Sequence, residues 1–474
     1  MGAIRRIKVS RPKISTVKFG KMYSTDLSVE GSIGGFNRAY RCYNFRVKDG
    51  SLKSEDGAIS LADKYVLPSG VKPISLYYYK RNDYTLGVND DRLLVYCSNK
   101  KTYECPMTGG NFTLVSGLEY DNQPIGVCYN YNSKDVIIFS TVAGGMRIYD
   151  GETVQVVKEA PAITSMCISN ERLFITSDGV DGALWFSDDF DPSNWNVSLS
   201  EAGFIDMSDK RGDMVCVVAF ADCVYVFRDY GVSKVIAYAD QAEFLVSHLL
   251  TSFGKIKKGS VTPCGDRILF MATDGVYSFD GLTAIKISEA WDEGIDYNSK
   301  FVKGVYYNGY AYFLMSLKGE GGSGTGILKV SPTGDEYSFL TVEKVSDLTV
   351  IDGKDEYLLM GVDNTFTSKI FKFGNSGTFN GIETIKKWQS KPTDFGIRCK
   401  RKLLKEISFY AKGNIHVSVR ADDRRDIYFT CSKKEGWRVV KPNVSAERFI
   451  IELFSPSEEV EISGFTMKFS YYDE

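Results

Sequence analysis

The stretch Thr176-Ser-Asp-Gly-Val-Asp-Gly-Ala-Leu-Trp-Phe-Ser-Asp-Asp-Phe-Asp-Pro-Ser-Asn-Trp195 sets the reading, together with Cys223 to Ile236 (CVYVFRDYGVSKVI) and Gly265 to Gly281 (GDRILFMATDGVYSFDG). In each, a short apolar strand runs into a turn rich in Asp and Gly, and a second strand ends on an aromatic residue. Apolar runs of this length bounded by such turns read as antiparallel strands. The same grammar recurs in seven blocks between about residues 71 and 380. It opens with Ser75 to Tyr79 and Leu93 to Tyr96, and closes with Leu348 to Ile351, Glu356 to Met360 and Lys369 to Phe373. The third strand of several blocks ends in Tyr or Phe followed by Asp-Gly, as at Tyr149-Asp150-Gly151 and Phe279-Asp280-Gly281. Strands such as Val154 to Val157 and Ala284 to Ile287 supply a fourth.

Four strands every 40 to 50 residues is the period of a propeller blade. One such blade cannot bury both faces alone, and stacking blades around an axis solves that problem. The expected fold class is therefore all-β: a β-propeller, with seven blades, followed by a small C-terminal β-sandwich. The expected divisions are a basic arm with lead-in strands at 1–60, the propeller at 61–382 and the sandwich at 383–474. The sandwich is read from alternating runs such as Leu403 to Tyr410, Ile415 to Arg420, Arg448 to Phe454 and Val460 to Phe469. A short helix is expected around Glu243 to Phe253, where Phe244, Leu245, His248 and Leu249 share a helical face. Gly319 to Gly326 (GEGGSGTG) reads as a loop tip.

Bulk properties exclude several classes. A chain of 474 residues is too long for one compact core unless that core repeats. With 58 basic and 60 acidic residues the net charge is −2, which gives no global case for nucleic-acid binding. The 29 Tyr and 29 Phe favour strands. Ten cysteines are scattered without a Cys-x-x-Cys, which reads as buried free thiols in a reducing compartment. Two histidines, His248 and His416, are too few and too far apart for a His-based zinc site or triad. No apolar run reaches bilayer length, and no secretory signal is visible, so folding in a cytosol is expected.

Individual motifs carry little chemistry. Ser177, Asp181, Gly182 and Trp185 are similar to the Asp-box of sialidase-type propellers, with the spacing from Ser off. That box is a turn motif away from the active site. The run Asp188-Asp189-Phe190-Asp191 has the charge for Ca²⁺ but no EF-hand spacing, and reads as a solvated turn. Gly319 to Gly326 lacks the Lys-Ser/Thr ending of a phosphate loop. No nucleophile, base and oxyanion site assemble, so no enzyme, no metal and no cofactor is expected.

Two basic stretches remain as candidate partner contacts. The first holds Arg5, Arg6, Lys8, Arg11, Lys13, Lys18 and Lys21, with no acidic residue among the first 22. The second holds Arg398, Lys400, Arg401 and Lys402. Solvated lysines that protect a strand edge are the plainer reading of the second. Deleting residues 1 to 22 is expected to leave a folded monomer that no longer assembles.

Several passages resemble the propeller-containing tail proteins of tailed bacteriophages, the tail nozzle (tubular) and packaged-DNA stabilisation or tail accessory proteins. They are Asn44 to Leu52 (NFRVKDGSL), Leu184 to Asn196, Val224 to Val235, Asp274 to Gly281 and Lys386 to Gly396 (KKWQSKPTDFG), in that order. The family's opening phrase often ends in Arg-Pro-Gly, where this chain has Lys53-Ser54-Glu55-Asp56-Gly57. The resemblance implies a structural virion protein made in the host cytoplasm and carried in the tail. It implies a ring of about six copies that meets the portal, adaptor and other tail proteins. DNA would pass through the lumen without sequence-specific binding, and the ring would help retain or eject the genome. The alternative reading is a glycan- or protein-binding propeller, with a sialidase-like glycosidase as its enzymatic form.

Overall fold

The computed structural model describes residues 11–26, 35, 37–177, 182–238, 240–249, 253–299, 301–319, 322–342, 344–354, 356–363, 369–374, 376–379, 381–422, 426–432, 434–457 and 459–472. The chain divides into two compact units. One comprises Met1–Gly57, Glu336–Thr341 and Asn375–Glu474, the other Ala58–Asp335 and Val342–Gly374.

The larger unit is a seven-bladed β-propeller. Its innermost strands are Pro73–Tyr79, Ile125–Tyr131, Ile163–Ser169, Met214–Phe220, Thr262–Cys264, Lys303–Tyr307 and Val345–Asp352. From each, antiparallel strands step outward, as in Ile163–Ser169, Arg172–Ser177, Ala183–Phe186 and Gly203–Asp206 of blade 3. The last innermost strand packs against the first, so the ring is closed. The outer position of blade 7 is filled from before blade 1: residues 58–60 lie beside the strand Ile370–Gly374, and Leu61 donates its N–H to the Ile370 carbonyl at 2.8 Å. Supplying one strand from the far end of the chain removes the seam an open ring would have.

Tight turns join the first two strands of most blades. Asn132-Ser133, Asn170-Glu171, Ala221-Asp222 and Asn308-Gly309 all have both residues at positive φ, between 45° and 84°. That is the geometry that matches the right-handed strand twist. Blade 1 departs from it: between Pro73–Tyr79 and Arg92–Cys97 the chain forms a small hairpin (Asn82–Asp83 and Val88–Asn89) that reaches the middle strand of blade 2 at Lys134. Two of the Asp-Gly signals are side-chain turn caps. Asp150 Oδ1 accepts the N–H groups of Glu152 and Thr153, and Asp280 Oδ1 those of Leu282 and Thr283.

The smaller unit is a β-sandwich. Its seven-stranded sheet joins Lys13–Lys18, Phe45–Lys48 and Ser51–Ser54 to Lys402–Lys412, Glu435–Val440, Val444–Ala446 and Glu461–Tyr471. Its five-stranded sheet joins Ala39–Tyr43 to Lys386–Ser390, Ile415–Ala421, Ile427–Cys431 and Phe449–Ser455. Phe19, Phe409 and Phe465 stack between the sheets, as do Phe395, Phe449 and Phe469. The lead-in strands expected as part of a separate arm at 1–60 are thus integral to the sandwich at 383–474. Their partners lie some four hundred residues away, as in Leu52↔Ile462 and Lys13↔Tyr471.

Two local expectations are corrected. Where a helix is expected at 243–253, the described residues form a single 3-10 turn, Gln241–Glu243, followed by the strand Leu245–His248, and residues 250–252 lie outside the described residues. That strand completes the outer edge of blade 4 against Gly231–Ile236, and this pairing outweighs the weak helical pattern. The Gly-rich stretch is mostly strand: Tyr310–Gly319 and Gly322–Val330 pair through Leu317↔Gly324 and Gly319↔Gly322.

Candidate docking surface

The phrases singled out in the sequence lie within one unit or the other, on hairpins, strands and buried positions. Asn44 sits at φ 57° and is held by its side chain: Nδ2 donates to the Ile385 carbonyl at 2.8 Å and Oδ1 accepts the Thr341 N–H at 2.9 Å. Asp49 and Gly50, both at positive φ, close the hairpin that follows. Trp388 is fully buried, pairs with Cys42 and donates its indole N–H to the Tyr23 carbonyl at 2.9 Å. Arg228 is buried and its guanidinium ties the Met207 and Gly212 carbonyls to blade 4. Burial pulls its pKa down, and Asp209 at 3.1 Å opposes this.

The acidic run Asp188-Asp189-Phe190-Asp191 is spent on its own loop. Asp188 accepts from Asn194 Nδ2 at 2.8 Å and the Glu201 N–H at 3.0 Å, and Asp191 caps Ser193. Trp195 folds under it, donating to the Pro192 carbonyl. Among the described residues no group of three or more His, Cys, Asp or Glu is placed to hold a metal.

The two basic stretches meet in the seven-stranded sheet. Lys13–Lys18 pairs antiparallel with one side of Glu461–Tyr471, and Lys402–Lys412 with the other. Tyr471 lies opposite Lys13 on one side and Lys402 on the other, so these two backbones are about 10 Å apart, two strand spacings. The Lys400 ammonium lies 6.0 Å from the Tyr471 ring, within cation–π range. Arg11, Lys13, Lys18, Lys21, Arg398 and Arg401 are exposed. Arg401 donates to the Ser445 carbonyl at 2.9 Å. Ile14, 70% exposed, and Tyr472 add apolar surface that the charge pattern alone did not single out.

Lys402 is a correction to the expected contact set. It is fully buried, and its ammonium donates to the Ile397 and Lys400 carbonyls, each at 2.7 Å. Desolvation depresses its pKa, opposed by Asp394 and other carboxylates. It is an internal post that holds the loop before its strand and offers nothing to a partner. Arg5, Arg6 and Lys8 lie outside the described residues. The expected cut at residue 22 is also displaced, because Phe19 and Met22 are buried in the sandwich core. A truncation that spares the fold ends before Lys13.

On the propeller, a cavity of about 320 Å³ lies where blades 7 and 1 meet, lined by Lys64, Asp90, Asp91, Met107, Lys354 and Glu356 among others. Its charges are largely engaged: Tyr78 Oη donates to Asp91 at 2.6 Å, Arg92 to Asp90 at 2.7 Å, and Lys64 faces Glu356 at 3.7 Å.

No family model matches the chain, and no curated protein matches it. Solved structures do match. BBS1N, solved in complex with ARL6DN, aligns at 10% identity over 68% of this chain and 97% of its own, with a TM-score of 0.40. The extracellular domain of the one-component system BT4673 from B. thetaiotaomicron aligns at 9% identity over 88% of this chain and 62% of its own, with a TM-score of 0.46. The Neurospora crassa Pan2 WD40 domain aligns at 9% identity over 64% of this chain and 95% of its own, with a TM-score of 0.37. The chain is an all-β protein built from a seven-bladed propeller and a sandwich. Among the described residues, no helix is long and apolar enough to cross a membrane.

Proposed function

We propose that this chain is a structural virion protein of a bacteriophage tail, a nozzle or portal-proximal ring component that lines part of the DNA conduit and helps retain or eject the genome. The observation that carries the reading is the convergence of the two basic stretches on one sheet of the sandwich, on either side of the strand that ends at Tyr471. A cationic edge on a rigid two-sheet core suits docking to an acidic neighbour in an assembly. The ordered phrases from Asn44 to Gly396 resemble the tail family in sequence. The conduit role asks only for non-specific passage, which a chain of net charge −2 permits without gripping DNA. The ring holds about six copies and meets the portal or adaptor through the sandwich.

The test is mass spectrometry of DNA-filled particles purified from a lysate of the culture that carries the gene. Co-purification at a few copies per particle is the expected result. Recovery only in the soluble fraction overturns the reading and leaves a glycan- or protein-binding propeller as the alternative to screen.

A further inference from the structure

We propose that the outward edge of the strand Lys13–Lys18 is a strand-addition site that takes an extended, acidic segment of a partner protein into the seven-stranded sheet. The proposal rests on the reading of the N-terminal basic stretch as a contact surface, and names what that surface recognises.

The hydrogen-bond phase of the strand comes from its far end. Phe19 donates its N–H to the Phe465 carbonyl at 2.8 Å. The register continues from there without a slip: Lys18↔Thr466, Val17↔Met467, Thr16↔Lys468, Ser15↔Phe469, Ile14↔Ser470 and Lys13↔Tyr471. In an antiparallel pair, residues alternate between those that exchange hydrogen bonds with the partner and those that turn both groups away. Phe19 is of the first kind, so Val17, Ser15 and Lys13 bond to the neighbouring strand. Ile14, Thr16 and Lys18 therefore aim their N–H and C=O groups outward. Among the described residues no other strand pairs with this edge.

The side chains say what fits. Ile14, Thr16 and Lys18 are exposed, while Ser15 and Val17 are half-buried and Val17 packs on the core. An added strand lies in the plane of the sheet, with its solvent-facing side chains about 5 Å from those of Ile14, Thr16 and Lys18. The edge is framed by Arg11, Lys13, Lys18 and Lys21, with no Asp or Glu from 11 to 25. Three observations select the occupant. Like charges oppose a second copy of the same edge. Outward carbonyls at three positions oppose a phosphate backbone, which has no donors to give them. A peptide strand supplies both donors and acceptors, and carboxylates on it answer the lysines. Running antiparallel, it places an acidic residue opposite Lys18, a small polar one opposite Thr16 and an apolar one opposite Ile14.

The probe is a fluorescein-labelled Gly-Glu-Ser-Thr-Ser-Val-Glu-Gly peptide, titrated against the full chain by fluorescence anisotropy. Saturable binding is expected. Thr16→Pro removes one outward N–H and no internal one, so the fold and melting midpoint hold while binding weakens at least tenfold. Lys18→Glu weakens binding by a similar factor, and a peptide with its first Glu changed to Lys restores it. Absence of peptide binding to the wild type overturns the proposal. So does equal binding to Thr16→Pro, which marks a contact of charges alone, or tighter binding of a short DNA duplex than of the peptide. These outcomes are separate from the assembly reading: a chain present in particles that ignores the peptide loses strand addition only, and a chain that binds the peptide but is missing from particles loses the tail assignment only.

Discussion

Asp347 is where the closure of the propeller is most exposed to a single substitution. It is fully buried on the innermost strand of blade 7. One carboxylate oxygen accepts the Leu76 N–H of blade 1 at 2.9 Å, and the other is paired with the Lys303 ammonium of blade 6. One side chain thus joins three blades across the point where the ring shuts. Burial raises its pKa, against the opposing pull of Lys303 and of the backbone N–H groups of Leu76 and Leu348.

The hydrogen bond and the charge are separable. Asp347→Ala strands the Leu76 N–H in a site where Leu76 is 1% exposed, which costs about 1–3 kcal/mol. The Lys303 side chain keeps 31% exposure, so its ammonium rehydrates and adds at most about 1 kcal/mol. The expected loss is about 2–4 kcal/mol. Asp347→Asn keeps an acceptor for Leu76 and is relieved of burying a carboxylate, so it should cost less than about 1 kcal/mol. At about 2 °C per kcal/mol for a unit of this size, the melting midpoints should fall by roughly 4–8 °C and less than about 2 °C. The sign with pH follows from the raised pKa. A carboxyl that holds its proton more tightly when folded contributes stability below its unfolded pKa and loses it as pH rises through the folded value. The advantage of wild type over Asp347→Asn should therefore shrink as pH climbs from about 4. Differential scanning calorimetry on the full chain reads all three quantities. Equal midpoints for the Ala and Asn variants would refute the hydrogen-bond argument, and an Ala variant within about 1 kcal/mol of wild type would remove Asp347 from the closure altogether.

Two further outcomes are expected. Trp388→Ala should cost about 3–5 kcal/mol in urea unfolding of the sandwich, because a fully buried indole is lost between the sheets; Trp388→Phe should cost about 1–2 kcal/mol, chiefly the bond to the Tyr23 carbonyl. Asp280 is held below the usual carboxylate range by the N–H groups of Thr283 and Leu282, so its contribution is present at neutral pH and lost as pH falls through the depressed value; Asp280→Ala should lower stability at pH 7 and flatten the acid limb of the stability curve, measured by circular dichroism melts from pH 2 to 7.

The blades were legible because their information is local. An apolar run, a two-residue turn and a second run lie within about 15 residues, and Asp150 and Asp280 each cap the N–H groups two and three residues on. The sandwich was legible only in its C-terminal half. Lys13–Lys18 and Ser51–Ser54 read as strands or as an arm equally well until the strand Glu461–Tyr471 is known to lie beside them. The inward phase of Lys402 is carried by the sequence itself. In the strand Lys402–Lys412 it is in phase with Leu404, so alternation places it inward, and the basic composition around it hid that phase. A bulge between Leu404 and Glu406 then shifts the inward set to Ile407, Phe409 and Ala411. The outward edge at Ile14, Thr16 and Lys18 had no such signal, because hydrogen-bond phase depends on a partner at the other end of the chain.

The tyrosine content that favoured strands has a more specific use in the ring. Tyr79 donates to the Asp135 carbonyl, Tyr129 to that of Glu171, Tyr225 to that of Gly281 and Tyr307 to that of Tyr357. In each case the ring packs between sheets and the hydroxyl reaches a backbone carbonyl of the next blade. Phenylalanine would fill the same gap and lose that bond, and an aliphatic residue would not span it. Blades also meet through apolar contact, which has no direction and does not set register. The hydroxyl bonds do, since each fixes where one sheet lies along the next. Blade 7 makes its contact to blade 1 differently, through the Asp347 carboxylate, the Leu76 N–H and the Ser346 hydroxyl on the Ile74 carbonyl. The ring is thus aligned by repeated side-chain-to-backbone bonds between neighbours. It is shut by a charged one and by residues 58–60, drawn from ahead of the first blade.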